Sequence, residues 1–390
     1  MSFLPLAKTY ALSSVLAFAA FSELRPEGWT RNRALLCGAL LGLAVCARLP
    51  MAILLPVVLV HGLAASTAGR RTERGLALAA GFGLALVPAL VTFALAPEAF
   101  WFGNVGYHAL RSETGLVENL SQKLWVVRWL LGAPTFESVA SNPRAFGSVA
   151  PQLSGLLWAN LGYLALMARR RRSFPPALSF VLGLSFVSIL PTPSYPQYFA
   201  ILVPYLCLNA VALLVKITTM GTRGPALAGS LAAFACALTL VFGGLGAQRV
   251  VVRGWPLVGV AGPTDAPNRR VPHLREVAAA IDALVEPGEA VLAEWPGYLL
   301  ESEGRSVPGF ENHFAHIAAR ALPADERRRF HVLSKADLLS MVGERRVRVA
   351  VVGLWTPDVL GEALRPALLR AGYRLHRRIG ATEVYLRHLR

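Results

Sequence analysis

The sequence predicts a mainly α-helical polytopic membrane protein of about eight transmembrane helices, closed by a C-terminal soluble α/β domain. Three observations carry that expectation. Of the 390 residues 54% are apolar and only 16% charged, whereas soluble domains carry nearer a quarter charged residues. Apolar stretches approaching the roughly 20 residues that a hydrocarbon core about 30 Å thick requires recur through the first two thirds of the chain. The acidic residues are also divided: residues 1–248 hold seven Glu and no Asp, and residues 249–390 hold the other sixteen, every Asp among them. That asymmetry predicts a boundary between a transmembrane domain over 1–248 and a soluble α/β domain over 249–390.

The candidate spans lie near 5–23, 33–48, 50–66, 75–95, 150–168, 174–191, 197–215 and 225–247. Charges punctuate them: Arg25, Arg31 and Arg33; Arg48; Arg70, Arg71 and Arg74; Arg169 to Arg172; Lys216 and Arg223. Alternate loops are basic, and the positive-inside rule assigns those to the cytoplasm. Arg48, the loop 96–149, the loop 191–196 and the tail domain then share the outer face with the N-terminus. An outside start without a signal peptide leads to the expectation that an odd number of spans precedes this chain.

Within the loop 96–149, APEAFWFGNVGYHALRS and LSQKLWVVRWLLG interleave Trp, Phe and Tyr with Arg, Lys and His. Such mixtures suit a membrane interface, so two short amphipathic helices on the outer surface are expected. From His273 onward a helical HLREVAAAIDALV is followed by the strand-like EAVLAEW, helical stretches across 311–343, and the buried-strand run VRVAVVGLW. A helix over 358–371 and two strands around Gly380-Ala381 complete a small layered domain. No Gly-rich phosphate loop follows either strand, so nucleotide binding is not supported.

The net charge of +16 is spread over loops and tail rather than gathered on one helix, which excludes a nucleic-acid partner. The bilayer itself is the partner that composition implies. Cys37, Cys46, Cys207 and Cys236 all stand in apolar segments, where a thiol is a small hydrophobe, so neither a disulfide framework nor a zinc cluster is expected.

Several residues suit binding chemistry. Tyr107, His108 and Arg111, with Asn104 and Glu113 nearby, form the densest polar group beside the predicted spans. Arg offers a planar fork for phosphate and His a donor, although an interfacial helix facing lipid head groups explains them equally well. Arg48 interrupts two apolar runs and must reach the interface or a polar cavity; it meets an anionic lipid-linked ligand or snorkels to head groups. Tyr195, Gln197 and Tyr198 suit hydrogen bonds to a sugar or phosphate, or an aromatic belt. His313 and His316 lie one helical turn apart but have no third ligand in sequence, so a solvated helix face is expected. Glu294 with Trp295, and Glu311 with Asn312, pair carboxylate and aromatic or amide groups as sugar sites do, while helix capping also explains Asn312.

The stretches KTYALSSVLAFAAFSELR, RALLCGALLGLAVCARLPMAILLP, FWFGNVGYHALRS and PSYPQYFAILVPYL, in that order and sidedness, resemble the GT-C superfamily of integral membrane glycosyltransferases. The likeness is to its dolichyl-phosphate-mannose protein mannosyltransferase and aminoarabinose transferase-like branch, over roughly residues 5–215. The resemblance implies transfer of a sugar from a polyprenyl-phosphate carrier to an envelope acceptor at the outer face of a bacterial inner membrane, with a divalent metal in some branches. It assigns no catalytic residue here: the family's carboxylate is an Asp in its first outer loop, residues 1–248 contain none, and the family's first three spans are expected to be missing. Carried over as substrate-binding residues are Arg48, Tyr107, His108, Arg111, Tyr195, Gln197 and Tyr198. No metal ligand set is read from the residues. The alternative is a non-catalytic membrane component of envelope assembly whose periplasmic domain binds a partner; a transporter ranks third, because no span carries paired ionisable residues near its middle.

Overall fold

The computed structural model describes residues 9–24, 28–110, 115–132, 151–169, 173–191, 194, 196–219, 222–251, 271–312, 315–353 and 361–387. The chain divides into two compact units, one of Met1–Phe100 with Thr114–Ala247, the other of Trp101–Glu113 with Gln248–Arg390.

The first unit is helical. Its elements are α1 (Thr9–Ser22), α2 (Arg31–Ala47), α3 (Leu54–Ala64) and α4 (Arg71–Leu95); α5 (Pro97–Trp101) ends at the boundary between units and α6 (Tyr107–Leu110) belongs to the second. The first unit resumes with α7 (Leu116–Leu130), α8 (Pro151–Arg169), α9 (Pro176–Ile189), α10 (Val203–Thr218) and α11 (Gly224–Val251), whose last four residues, from Gln248, fall in the second unit. Helix therefore occupies every stretch read as a span. Two helical segments among the described residues, Ala68–Leu95 and Tyr198–Thr218, are long and apolar enough to cross a membrane; Tyr10–Ser22, Leu49–Ala64, Pro176–Ile189 and Gly224–Ala237 are apolar but shorter.

Local chemistry sets the ends. Thr30 caps α2 by accepting from Arg33 N at 3.3 Å, which satisfies one orphan donor of the first turn. The helix stops at Arg48, whose backbone is extended (φ −155°), since Pro50 supplies no N–H to continue the ladder. A 3-10 turn, Leu49–Ile53, then leads into α3, and another, Pro196–Leu202, leads into α10. At α9 the last carbonyls would lack donors; Lys123 Nζ on α7 supplies them, donating to Ile189 O at 2.7 Å and Leu190 O at 2.8 Å.

Packing in this unit relies on small residues. Gly38 and Gly42 on α2 lie against α4 so closely that a methyl at Gly42 would stand 2.7 Å from Phe82 O, and one at Gly81 would meet Leu35 O. Backbones approach this closely only where no Cβ intervenes, as in helix pairs carrying small residues four apart. Leu41, Met51, Leu54, Leu184, Leu202 and Leu206 fill the centre, while Leu76, Leu84, Val60 and Leu95 are exposed on the outside. Asn209 Nδ2 donates to Asn160 Oδ1 at 2.8 Å, joining α10 to α8 inside this apolar packing.

The second unit contains a five-stranded sheet. Its further elements are α12 (Val271–Asp282), β1 (Ala290–Ala293), β2 (Arg305–Ser306), α13 (Ala315–Arg320), α14 (Ala324–Arg329), α15 (Lys335–Gly343), β3 (Val349–Val352), α16 (Leu364–Arg370), β4 (Tyr373–Ile379) and β5 (Thr382–Arg387). Strand order is β2-β1-β3-β5-β4, with β1 parallel to both β2 and β3, and β5 antiparallel to β3 and β4. Both faces are covered. Val291, Val349 and Val351 pack with Leu274, Val277 and Ile281 of α12. Leu292, Ala350 and Val352 pack with Leu338 and Val342 of α15 and with Leu364 and Leu368 of α16. A strand buried on both faces reads as an unbroken apolar run, which explains the legibility of VAVV. The two-residue β2 carries no such signal and was not expected. The start of the helix expected over 358–371 lies outside the described residues; its remainder is a short 3-10 turn, Gly361–Ala363, and α16.

Candidate functional site

Arg48 stands at the junction of α2 and the first 3-10 turn, half-buried. Its guanidinium carbon lies 3.6 Å from the ring centroid of Tyr10 on α1 and 5.8 Å from that of Tyr198 in the second 3-10 turn. The two rings are stacked at 6.2 Å with an interplanar angle of 19°. Three segments distant in sequence thus converge on one cation. Such contacts are worth about 0.5–1 kcal/mol in water and about 2 when desolvated. Among the described residues Arg48 has no carboxylate partner, whereas Arg33 in the same unit pairs with Glu23 at 3.5 Å.

The Tyr198 side of this arrangement is anchored. Ser188 Oγ donates to Tyr198 O at 3.1 Å, Ser194 Oγ to Ser188 O at 3.0 Å, and Ser194 N to Gln122 Oε1 at 2.9 Å, with Gln122 Nε2 returning a bond to Ser194 O. Together with the Lys123 bonds these tie the end of α9 and the following turn to α7. Gln197 lies in the same 3-10 turn as Tyr198. Tyr195 and Arg111 lie outside the described residues.

Tyr107 and His108 belong to the second unit. Phe102–Gly106 forms a π-type turn, with Tyr107 N bonding Phe102 O. It presents Phe102, Tyr107 and Leu110 to Ala315, Ala319, Leu322 and Val332. Phe102 stacks on Phe330 at 4.2 Å with the planes 4° apart. Asn312 Nδ2 donates to Tyr107 Oη at 3.2 Å, so the loop residue and one of the tail residues flagged in the sequence meet. His108 is exposed, its ring 5.2 Å from that of Tyr107. Phe102 and Tyr107, two of the aromatic residues expected at a membrane surface, therefore cover an apolar patch of the C-terminal unit, while Trp101 and Trp125 stay exposed. An alternation of aromatic and basic residues satisfies either surface, which is why composition pointed to lipid.

Other expectations are corrected. His316, expected on a solvated helix face, is buried at 3% exposure, because α13 turns that face onto the domain; His313 lies outside the described residues. Glu294 and Trp295, considered as a sugar grip, are 0% and 8% exposed at the carboxyl end of β1. A Cβ at Gly353 would stand 2.5 Å from Glu294 Oε1, so this pair belongs to the domain interior rather than to an open cleft.

The structure thus brings Arg48 and Tyr198 together, and Tyr107 with His108. Tyr10 was missed in the sequence. The one signal available was a lone phenol near the start of an apolar span, where a hydroxyl needs a polar neighbour. Among the described residues no three His, Cys, Asp or Glu side chains could hold a metal ion, so the divalent metal implied by the resemblance finds no fitting ligand set there. No model of a known protein family matches the chain, and no curated protein matches it.

Proposed function

We propose that this chain is a polytopic protein of a bacterial inner membrane, of the GT-C glycosyltransferase type, that binds a polyprenyl-phosphate-linked sugar at the outer face and transfers the sugar to an envelope acceptor. The observation that carries the proposal is Arg48, held between Tyr10 and Tyr198 with no described carboxylate to answer its charge. An Arg in an apolar bundle is stabilised by an anion, and a unit whose sequence up to residue 248 contains no Asp has few to offer. A lipid-linked phosphate supplies one. Support for the membrane setting comes from helices over all eight apolar stretches, outward-facing Leu and Val side chains, and glycine-mediated helix contact. In this reading the C-terminal unit lies outside the cytoplasm, where it helps select the acceptor.

In such a transfer the bond between the anomeric carbon and the phosphate oxygen breaks while an acceptor oxygen bonds that carbon and loses its proton. Arg48 stabilises the negative charge developing on the departing phosphate, most effectively where water is excluded. The proton needs a base. The lack of a described carboxylate beside Arg48 favours a second reading, in which the protein holds the carrier as a non-catalytic component of envelope assembly.

The test is binding of polyprenyl phosphate to the full chain in nanodiscs, followed by transfer from the corresponding labelled sugar donor. Charge-assisted contacts are worth about 1.5–3 kcal/mol, so Arg48→Ala should weaken binding about ten-fold or more, with Arg48→Lys intermediate because it lacks the bidentate fork. Transfer above a protein-free control supports the first reading, and binding without transfer the second. Carrier binding unchanged by Arg48→Ala overturns both.

A further inference from the structure

Helices α14 and α15 of the C-terminal unit end alike. His331 N donates to Arg328 O at 3.4 Å and Val332 N to Arg327 O at 3.0 Å; after the next helix Arg345 N donates to Val342 O at 3.1 Å and Arg346 N to Met341 O at 2.9 Å. These paired bonds form the Schellman closure, whose first residue past the cap adopts the left-handed conformation and is usually glycine. Here that residue is His331 (φ 50°) and Arg345 (φ 58°), the two non-glycine residues of positive φ among those described. A side chain in this region costs about 1 kcal/mol. The same unit ends α16 with Gly372 (φ 86°), and of the two non-glycine positions only His331 lines the cavity described next.

Between the two closures and the Pro308-Gly309 turn lies a cavity of about 380 Å³, within the range of small-ligand sites, about 300–1,000 Å³. Its charged lining is Arg327, Arg328, His331, Arg346, Asp337 and Glu344. Both carboxylates are already engaged. Asp337 accepts from Arg327 Nε at 3.0 Å and from Ser334 N at 2.8 Å, while Glu344 accepts from Arg346 Nη2 and Ser340 Oγ, each at 2.6 Å. Arg328 and His331 have no side-chain hydrogen bond or ion pair among the described residues. The plain alternative is that bases near a helix C-terminus offset its dipole. That accounts for Arg327 to Arg329, but not for an imidazole at a position where glycine closes the helix without strain. Strain of this kind persists where a site uses it.

We infer that this cavity binds an oxyanion of the phosphomonoester class, gripped by the guanidinium of Arg328 and the imidazole of His331, with the Arg327–Asp337 pair as its fixed wall. Arg supplies a planar fork that matches phosphate oxygens, and an imidazole N–H donates in either tautomer. The inference does not depend on the carrier-binding proposal.

The experiment is hydrogen–deuterium exchange of the full chain in detergent, read on peptides spanning 323–346, with inorganic phosphate against chloride at equal ionic strength. At about ten times its Kd, phosphate should slow exchange there about ten-fold. Arg328→Gln and His331→Gly should each abolish the effect. The second variant guards against misfolding, since glycine takes this conformation freely and phosphate-free exchange should be as slow as in the native chain. Repeating the measurement in nanodiscs with and without phosphatidic acid separates sources: protection by the lipid assigns a head group, and protection by free phosphate alone a soluble ligand. Equal protection by phosphate in the native chain and both variants, or none by either probe in the native chain, overturns the inference.

Discussion

Replacing Gly38 by Ala tests how the helical unit holds together. The new methyl would drive into Leu78 O and lie 2.9 Å from Phe82 N; Gly81→Ala would do the same to Leu35 O, with Ala39 N at 3.0 Å. Nonbonded carbons settle at about 3.5–4.0 Å and carbon–oxygen contacts only slightly closer, so relieving the two carbonyl clashes requires α2 and α4 to part by more than about 1 Å. The obstacle is backbone on both sides, which cannot rotate away as a side chain does. Overpacking of this sort costs about 1–3 kcal/mol. One separation relieves both clashes, hence the double variant should cost less than the sum of the single ones. Gly83 on the same helix is the control, because a Cβ there meets nothing within 4 Å; Ala should be neutral or stabilise by up to about 1 kcal/mol through helix propensity. The assay is unfolding of the purified chain in mixed micelles by detergent titration, followed by far-UV circular dichroism. Equal stability of the Gly38→Ala and Gly83→Ala variants, or strict additivity of the Gly38 and Gly81 changes, would refute the reasoning.

Other predictions concern charge, polar contacts and sidedness. Burial alone would push the Glu383 carboxyl up, but hydrogen bonds from Arg365 Nε (2.7 Å), Tyr385 Oη (2.9 Å) and Arg378 Nη2 (2.7 Å) outweigh it and hold it below its ordinary range. A depressed folded-state value makes its stabilisation complete above the unfolded value of about 4.3 and lost as pH falls through the folded one; Glu383→Gln should flatten that acid limb, and an unaltered melting profile against pH contradicts this. Asn209→Ala, which leaves Asn160 Oδ1 without its donor between α8 and α10, should cost about 0.6–1.7 kcal/mol by the same detergent titration, and no loss would mean that the pair contributes nothing. In a cysteine-free background, Cys at Ser340 should react with an impermeant thiol reagent from outside intact cells and Cys at Ser173 should not; labelling of Ser173 would reverse the sidedness derived from the basic loops.

The placement of helices was legible in the sequence because it depends on local quantities: the length of an apolar run, and the Pro, Gly and Arg residues that interrupt it. Breaks near Pro50 and Pro196, the buried strand VAVV and the hairpin around Gly380 all follow from that kind of information. Tertiary structure alone decided which faces meet. A helical period shows that Tyr10, Arg48 and Tyr198 lie on helix ends or turns, but their convergence depends on how three segments separated by some 190 residues cross. The assignment of Trp101–Glu113 to the C-terminal unit depends on an apolar patch around Ala315 and Phe330 that no local pattern reveals. The burial of His316 and Glu294, the two-residue β2, and the left-handed backbone at His331 and Arg345 share that cause, since each is imposed by contacts and closures formed only once the chain has folded.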